Sequence, residues 1–170
     1  HKTGYVTGCT GGLGKKTEPR SLNRATQSIR QTGSAIKPIA VLAPAISKKM
    51  ITAASIYDDT ERDFAEGYHP TDYNPSLGKV TVRRAVESSQ NIPFVEIMEK
   101  LKPSKSIKFL EKMGVTTLTE EDNNLVLALG GLQKGISPLE MAGAYATIAN
   151  DGVYIEPTFY NKIENKNGTL

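Results

Sequence analysis

The longest apolar run of the chain lies between residues 36 and 46. Residues 39–46 carry only Ile, Ala, Val and Leu side chains apart from Pro44. A helix that is apolar on all its faces is typical of a protein interior, so this run predicts a buried central helix. Proline has no amide N–H to donate and crowds the preceding turn. We therefore expect Pro44 to kink this helix or to end it early.

Helical periodicity returns in the second half of the chain. It predicts helices over about 81–88, 93–101 and 104–113, and Gly114 is a plausible stop for the third. A fourth helix is predicted to begin at 137–140, where the letters SPLE combine an N-cap serine, an early proline and a glutamate that completes a capping box. This helix is expected to continue to Gly152.

Strand patterns are short and lie near the two ends. Residues 5–9 alternate polar and small side chains and predict one strand. Residues 153–170 predict strand, turn and strand, followed by the hairpin signal Asn167-Gly168. The polar segment 13–32 and the segment 56–80, which is rich in Pro, Gly, Asp and Tyr, predict irregular loops.

The composition argues against several kinds of partner and of functional site. The net charge is +3 and the Lys and Arg residues are scattered, so no basic stripe indicates a nucleic-acid partner. No apolar run approaches the ~20 residues that span a bilayer. One cysteine excludes an internal disulfide, and two histidines beside it do not favour a transition-metal site. We expect catalysis from hydroxyls, amines, amides or carboxylates, without a metal.

The stretch GSAIKP places Ser34 and Lys37 one helical turn apart at the start of the apolar run. Residues i and i+3 share a helix face, and Pro38 is easiest to place in a first turn, whose N–H groups are unpaired. The positive end of the helix dipole favours an alkoxide, and burial lowers the pKa of a lysine. The pair therefore suits a serine nucleophile activated by a lysine.

This spacing is not specific by itself. Ser76 and Lys79 have the same spacing in a segment with the composition of a turn. The alternative interpretation is that Ser34 caps the helix and Lys37 is solvated. Two fixed positions recur easily by chance, so spacing alone favours this alternative.

A second motif, Ser89-Gln90-Asn91, falls between two predicted helices. A serine and an amide in this place can relay a proton and hold a substrate amide. The alternative is that Asn91 only caps the helix that begins near Pro93. Ser21 and Asn23 repeat the spacing within a polar loop, which shows that this pattern is also common.

Together the two motifs and their flanks resemble the penicillin-binding proteins, specifically the transpeptidase domain of the class A, bifunctional type. The family carries three motifs. The first is S-x-x-K, the second is S-D-N or, more generally, S-x-N, and the third is K-T-G. NRATQ (23–27) precedes the first motif, VTVR (80–83) precedes the second, and SPLEMA (137–142) opens the late helix. Order and spacing agree over essentially the whole chain. The loop 69–73 is only loosely similar to the family's loop over the cleft.

The resemblance implies an α/β (α+β) serine-acyltransferase fold of the penicillin-binding protein and β-lactamase type, with an antiparallel sheet packed against helices. Lys2-Thr3-Gly4 spells K-T-G, but it precedes the nucleophile and is expected to be a turn that enters a strand. The family's third motif is expected beyond residue 170. Residues 1–170 are thus expected to be a partial transpeptidase domain that works with a missing C-terminal part.

The resemblance also implies roles for the site residues. Ser34 would attack a D-Ala-D-Ala carbonyl, and Lys37 would accept its proton. Ser89 would pass a proton to the leaving amine, and Asn91 would hold the peptide amide. Gly33 and Gln90 are expected to contact substrate. The Ser34 N–H would be one oxyanion donor, and no metal or organic cofactor is needed.

The expected partners are peptidoglycan stem peptides and β-lactams, which would acylate the same serine. The family further implies an extracytoplasmic enzyme with a membrane anchor and a glycosyltransferase domain outside this sequence. One alternative is a β-lactamase or β-lactam sensor with the same serine chemistry. Another is a non-catalytic fragment that needs its missing half.

Overall fold

The computed structural model describes residues 2–169, in which short strands accompany a cluster of packed helices. The strands form two antiparallel pairs of two strands each. This combination agrees with the predicted mixed fold. The helices are α1 (Ala43–Ser47), α2 (Val82–Glu87), α3 (Ile92–Leu101), α4 (Pro103–Lys112) and α5 (Pro138–Ala149), and the strands are β1 (Ile56–Asp58), β2 (Lys79–Thr81), β3 (Glu164–Asn165) and β4 (Gly168–Thr169).

The predicted central helix forms, but with three different helical geometries. A 3₁₀ turn over Gly33–Ile36 leads into a π-helical segment over Lys37–Leu42, and α1 follows directly. The wider π geometry appears in its hydrogen bonds, because the N–H of Ala43 donates to the carbonyl of Pro38, five residues earlier. The helical segment thus passes Pro44 and does not end before it.

Pro44 is accommodated with the help of a neighbouring helix. In an α-helix the N–H of residue 44 would donate to the carbonyl of Ala40, and a proline has none. The hydroxyl of Ser106 on α4 donates to this carbonyl instead, with an O–O distance of 2.6 Å. Both residues are fully buried. A side chain distant in sequence thus supplies the donor that the proline lacks.

Replacing Ser106 with alanine is expected to lower the free energy of unfolding by about 1–3 kcal/mol, because the buried Ala40 carbonyl loses a donor. Denaturant unfolding measures this loss. The same substitution in a Pro44→Ala background is expected to cost less, since the new N–H of residue 44 can donate to Ala40. Equal losses in both backgrounds would contradict this pairing.

The core lies where this helical segment packs against α3 and α4. The fully buried residues include large apolar side chains from all three elements, and Phe94 is the largest of them. The prediction of burial on all sides is wrong for Ile46, whose exposed fraction is 52%. The outer face of α1 therefore carries apolar surface, while the part that bears Lys37 is enclosed. The core residues from these elements include Ile36, Ile39, Ala40, Val41, Ala45, Phe94, Val95, Met98, Leu101 and Leu110.

The segment 56–80 is irregular only in its middle. Its two ends form β1 and β2, which pair antiparallel with Tyr57 opposite Val80. The prediction of a loop throughout is therefore wrong at both ends. Three-residue strands are too short for a periodic pattern to identify them, because two alternations occur easily by chance. The two strands join the ends of a long loop, and β2 leads directly into α2.

The predicted strand at 5–9 is reduced to a single parallel bridge between Tyr5 and Thr158. The N–H of Val6 donates to the Thr158 carbonyl, and the N–H of Thr158 donates to Gly4. A strand needs a continuous partner backbone, and the described part of the chain supplies one only here. Lys2-Thr3-Gly4 leads into this bridge, as the sequence indicated.

Two predictions near the C-terminal end are wrong: residues 153–163 form no strand beyond the bridge at Thr158, and α5 ends at Ala149, before Gly152. The other local signals are confirmed. Ser137 and Glu140 form the predicted capping box at the start of α5. Gly114 has φ +83° and ends α4 in the left-handed conformation expected of a C′ glycine. The hairpin signal near residue 167 produces the turn between β3 and β4. No helix within residues 2–169 is long and apolar enough to cross a membrane.

Candidate active site

The second motif lies in a tight turn that ends α2. The N–H of Gln90 donates to the carbonyl of Ala85, and the N–H of Ser89 donates to that of Val86. These two bonds, with Ser89 at φ +55°, form a Schellman motif. Glycine is the usual residue at this left-handed position, and a serine is strained there. The chain keeps a hydroxyl at a position where glycine would be more stable.

The strain at residue 89 can be measured with two variants. Both Ser89→Gly and Ser89→Ala remove the hydroxyl, but only glycine adopts a positive φ without cost. We expect the glycine variant to exceed the alanine variant in unfolding free energy by about 1 kcal/mol. Denaturant unfolding of both proteins tests this difference. An alanine variant as stable as the glycine variant would show that residue 89 is not strained.

The amino group of Lys37 lies inside this turn. Its Nζ donates to the carbonyl oxygens of Ser89 at 2.7 Å and of Gln90 at 2.9 Å, and to Oδ1 of Asn91 at 2.8 Å. The Ser89 hydroxyl is farther away, at 3.4 Å. The ring of Phe94 lies beneath the amine, 4.9 Å from Nζ to the ring centroid. The three short contacts match the three hydrogens of an ammonium.

Burial makes this lysine unusual. Lys37 is 3% exposed, and the loss of hydration lowers its pKa to about 8, while the charges of Asp72 and Asp59 partly oppose that shift. The alternative of a solvated Lys37 is therefore wrong. An amine with a pKa near 8 is neutral in roughly a tenth of the molecules at pH 7, far more often than an ordinary lysine, so Lys37 is able to accept a proton.

Asn91 does not act as a simple helix cap. It occupies the N-cap position of α3, but its side chain accepts no hydrogen bond from the first turn of that helix. Its Oδ1 faces Lys37, and its Nδ2 donates to the carbonyl of Thr71 at 2.7 Å. The structure thus disfavours the capping interpretation. One N–H and one lone pair of the amide remain available for a further partner.

Ser34 lies one turn before Lys37 on the same helical segment, and the N–H of Lys37 donates to the Ser34 carbonyl. The serine side chain is exposed and makes no hydrogen bond to another described residue. Of the predicted residues, the structure brings Lys37, Ser89 and Asn91 into contact. It places Ser34 beside them at the surface, without a direct bond to Lys37.

Gln90 and Gly33 have different surroundings. The Gln90 side chain is 1% exposed, and its amide donates to Asp59 and to the carbonyl of Pro75, so it supports the turn from inside. Gly33 is exposed and has φ +55° immediately before the serine. A substrate contact by either residue stays a prediction.

Several supporting residues were missed by the sequence analysis. A Cβ on Gly130 would lie 2.3 Å from the carbonyl oxygen of Gly33, so this glycine lets another loop approach the turn that carries Ser34. The Tyr145 hydroxyl on α5 donates to the carbonyl of Ala35 at 2.7 Å. The pair of glycines at 130–131 after an apolar run was the only signal for the first contact. No local pattern indicates the second.

The two motif copies that competed with these residues lie elsewhere. The Ser76 hydroxyl donates to the Asp59 backbone carbonyl, and Lys79 is in β2, so this copy is part of a turn and a strand. The Asn23 side chain accepts from the N–H of Ala25 in a surface loop. Neither copy adjoins a buried amine.

Known proteins are similar to this chain over most of its length. The family model of the penicillin binding protein transpeptidase domain matches residues 2–169. Penicillin-binding protein 1F of Bacillus subtilis is 36% identical over 169 residues, which cover 99% of this chain and 23% of that protein. The chain thus spans about a quarter of the length of this curated relative.

Solved structures show the same fold. Penicillin-binding protein 1A from Haemophilus influenzae superposes with a TM-score of 0.74 at 30% identity, covering 88% of this chain and 22% of that one. The PonA1 protein from Mycobacterium tuberculosis, in complex with penicillin V, gives 0.78 at 26% identity, covering 89% and 43%. The predicted fold class is confirmed. The chain belongs to the penicillin binding protein transpeptidase domain family.

Proposed function

We propose that this chain carries the acylation machinery of a D,D-transpeptidase that cross-links peptidoglycan stem peptides through an acyl-enzyme on Ser34. The observation that carries the proposal is the buried Lys37 amine, which the second motif encloses one helical turn from an exposed serine. Family membership supports the reaction class. The buried amine supports the identity of the base.

Acylation begins with a proton transfer. Neutral Lys37 accepts the proton of the Ser34 hydroxyl, and the serine oxygen attacks the carbonyl between the two D-alanines. The Ser34 hydroxyl is exposed, and a side-chain rotation brings it toward the amine on the same face. The N–H of Ser34, in the first turn of its helical segment, is the proposed oxyanion donor.

The second motif completes this half of the reaction. The Ser89 hydroxyl, 3.4 Å from Nζ of Lys37, passes the proton to the leaving D-alanine amine. The free N–H and lone pair of the Asn91 amide hold the peptide bond of the donor strand. An amine from a second stem peptide then attacks the ester, gives a proton to the neutral Lys37, and displaces the Ser34 oxygen, which takes that proton back from Lys37. These steps use hydroxyls, an amine and an amide of this chain.

β-Lactams are proposed to acylate the same serine, because their strained amide resembles the scissile bond. The complex of a relative with penicillin V supports this part of the proposal. We further propose an extracytoplasmic location, a membrane anchor, and a K-T-G motif from a C-terminal part of the same domain, as the family resemblance implies.

Mass spectrometry after incubation with a penicillin tests the function directly. We expect an adduct of one penicillin on the wild-type protein and none on Ser34→Ala. The chain and a form extended at its C-terminus are compared, since an adduct on the extended form alone assigns the missing motif to that extension. An adduct that hydrolyses rapidly would indicate a β-lactamase. No adduct on either form would overturn the proposal.

The acylation rate is expected to rise with pH around a midpoint of about 8. Only the neutral amine accepts the serine proton, and the fraction of neutral Lys37 grows as pH passes its lowered pKa. Rates measured from pH 6 to 10 at a subsaturating penicillin concentration report this group in the free protein. A midpoint near the ordinary lysine value of 10.5 would contradict the role of burial.

A further inference from the structure

Two aspartates lie behind the second motif, and the proposed reaction uses neither of them. Asp59 directly follows β1, and Asp72 lies in the loop between β1 and β2. Each binds a different residue of the second motif. They therefore connect this loop to the turn that encloses Lys37.

Asp59 is fully buried, and only one of its two carboxylate oxygens accepts hydrogen bonds from described residues. Its Oδ2 accepts hydrogen bonds from the N–H of Leu77 at 2.8 Å and from the side-chain amide of Gln90. Its Oδ1 is also buried, and no described donor reaches it. An ionised carboxylate with a bare oxygen in the interior is costly, so this atom needs a hydrogen.

Asp72 shows the complementary pattern. Its Oδ1 accepts a hydrogen bond from the backbone N–H of Asn91. Its Oδ2 is buried and has no donor among the described residues. Asp59 and Asp72 bind the adjacent residues Gln90 and Asn91, and both the charge of Asp59 and a hydrogen bond with its side chain are among the causes that raise the pKa of Asp72. Two bare oxygens thus belong to neighbouring acids, and a single proton between them would satisfy both.

The electrostatics of the pair agree with a retained proton. The pKa of Asp72 is raised to about 6, chiefly by burial and also by the neighbouring Asp59, while the Asn91 hydrogen bond and Lys37 act in the opposite direction. Like charges at close range cannot both ionise without cost. The charges of Asp59 and Asp72 act on each other, and both act on the Lys37 amine.

We propose that Asp59 and Asp72 share one proton and act together as positioning residues, which hold Gln90 and Asn91 around Lys37 and set the charge beside its amine. With the shared proton the pair carries one negative charge, and without it two. The second charge stabilises the ammonium and raises the pKa of Lys37, so fewer molecules carry the neutral amine that can accept the serine proton. The effect on acylation rests on the proposed function, but the pairing does not.

The pairing is tested by a double-mutant cycle in unfolding at pH 5, where the pair retains its proton. In Asp59→Asn or Asp72→Asn the new amide N–H takes the place of the shared proton, so each variant is expected to unfold much like the wild type. In the double variant no orientation of the two amides satisfies every donor. Either their NH₂ groups face each other, or one amide is reversed and its NH₂ faces a backbone N–H that the carboxylate oxygen had bound. We expect the unfolding equilibrium constant to rise roughly tenfold or more beyond the product of the single effects.

A double variant whose effect equals that product within about twofold would overturn the shared proton. This readout does not depend on penicillin. It therefore separates a failure of the pairing from a failure of the proposed function, which would appear as wild-type protein without an adduct on Ser34.

The effect on Lys37 is tested by the pH profile of penicillin acylation. Asp72→Asn keeps an oxygen for the Asn91 N–H but removes a charge that raises the pKa of Lys37. We expect its profile to rise at lower pH than that of the wild type. The control is Asp58→Asn, an exposed neighbour that binds Thr60, and its profile is expected to match the wild type. A lower plateau for Asp72→Asn at an unshifted midpoint would indicate a structural role only and overturn the proposed charge effect.

Discussion

Replacement of Lys37 by methionine is expected to slow the acylation of Ser34 by a penicillin by roughly 10²–10⁴-fold, the usual contribution of a general base. Methionine fills a similar volume but cannot accept a proton. It also leaves three oxygens around the amine without their donor, two of them backbone carbonyls. The rate of adduct formation measures the first effect and denaturant unfolding the second.

Lys37→Arg separates the base from the structural role. Arginine keeps a positive charge and several donors, but it does not lose its proton at any usable pH. We expect this variant to be acylated as slowly as the methionine variant, with no rise in rate between pH 7 and 9. If either variant retained acylation within tenfold of the wild type, Lys37 would not be the base.

Replacement of Gly130 by alanine is expected to lower the unfolding free energy by roughly 2–4 kcal/mol and to slow acylation strongly. Its φ is +80°, and the new Cβ would lie 2.3 Å from the Gly33 carbonyl oxygen and 2.5 Å from the Gly33 nitrogen. Both are backbone atoms, so the turn that presents Ser34 has to move. Unfolding and adduct formation are measured on the same preparations.

The adjacent Gly131→Ala is the matched control. Its new Cβ would lie 2.4 Å from Cγ1 of Val126, a side-chain atom that moves if χ1 of the half-buried valine changes, and its φ is not positive. We expect a smaller loss of stability than for Gly130→Ala and near wild-type acylation. If the two alanine variants behaved alike, the contact between Gly130 and Gly33 would have no special role in supporting the site.

The sequence predicted the helices well wherever the signal was local. The capping box at the start of α5 and the glycine stop after α4 need only neighbouring residues, and both formed as expected. The strands were predicted poorly. A strand depends on a partner backbone that can be distant in sequence, and residues 5–9 found only the single bridge to Thr158.

The site was predicted as a set of residues but not as an arrangement. The spacing of Ser34 and Lys37 placed them on one helix face, and the resemblance singled out Ser89 and Asn91. Sequence spacing did not show that the lysine would turn toward the second motif and leave the serine at the surface. That orientation arises from packing of the helical segment against α3 and from three acceptors in a distant turn.

The sequence by itself determined the family, most helical positions and the candidate catalytic residues, because these follow from local patterns and motif order. Only the tertiary structure decided how Pro44 is tolerated, why a serine occupies a position suited to glycine, and which acids adjoin the lysine. Each of these depends on contacts between residues far apart in the chain, such as Ser106 with Ala40 and Asp59 with Gln90. Such contacts form only when the chain is folded, and the pKa of the proposed base is likewise lowered only by burial in the fold, which the charges of Asp72 and Asp59 partly oppose.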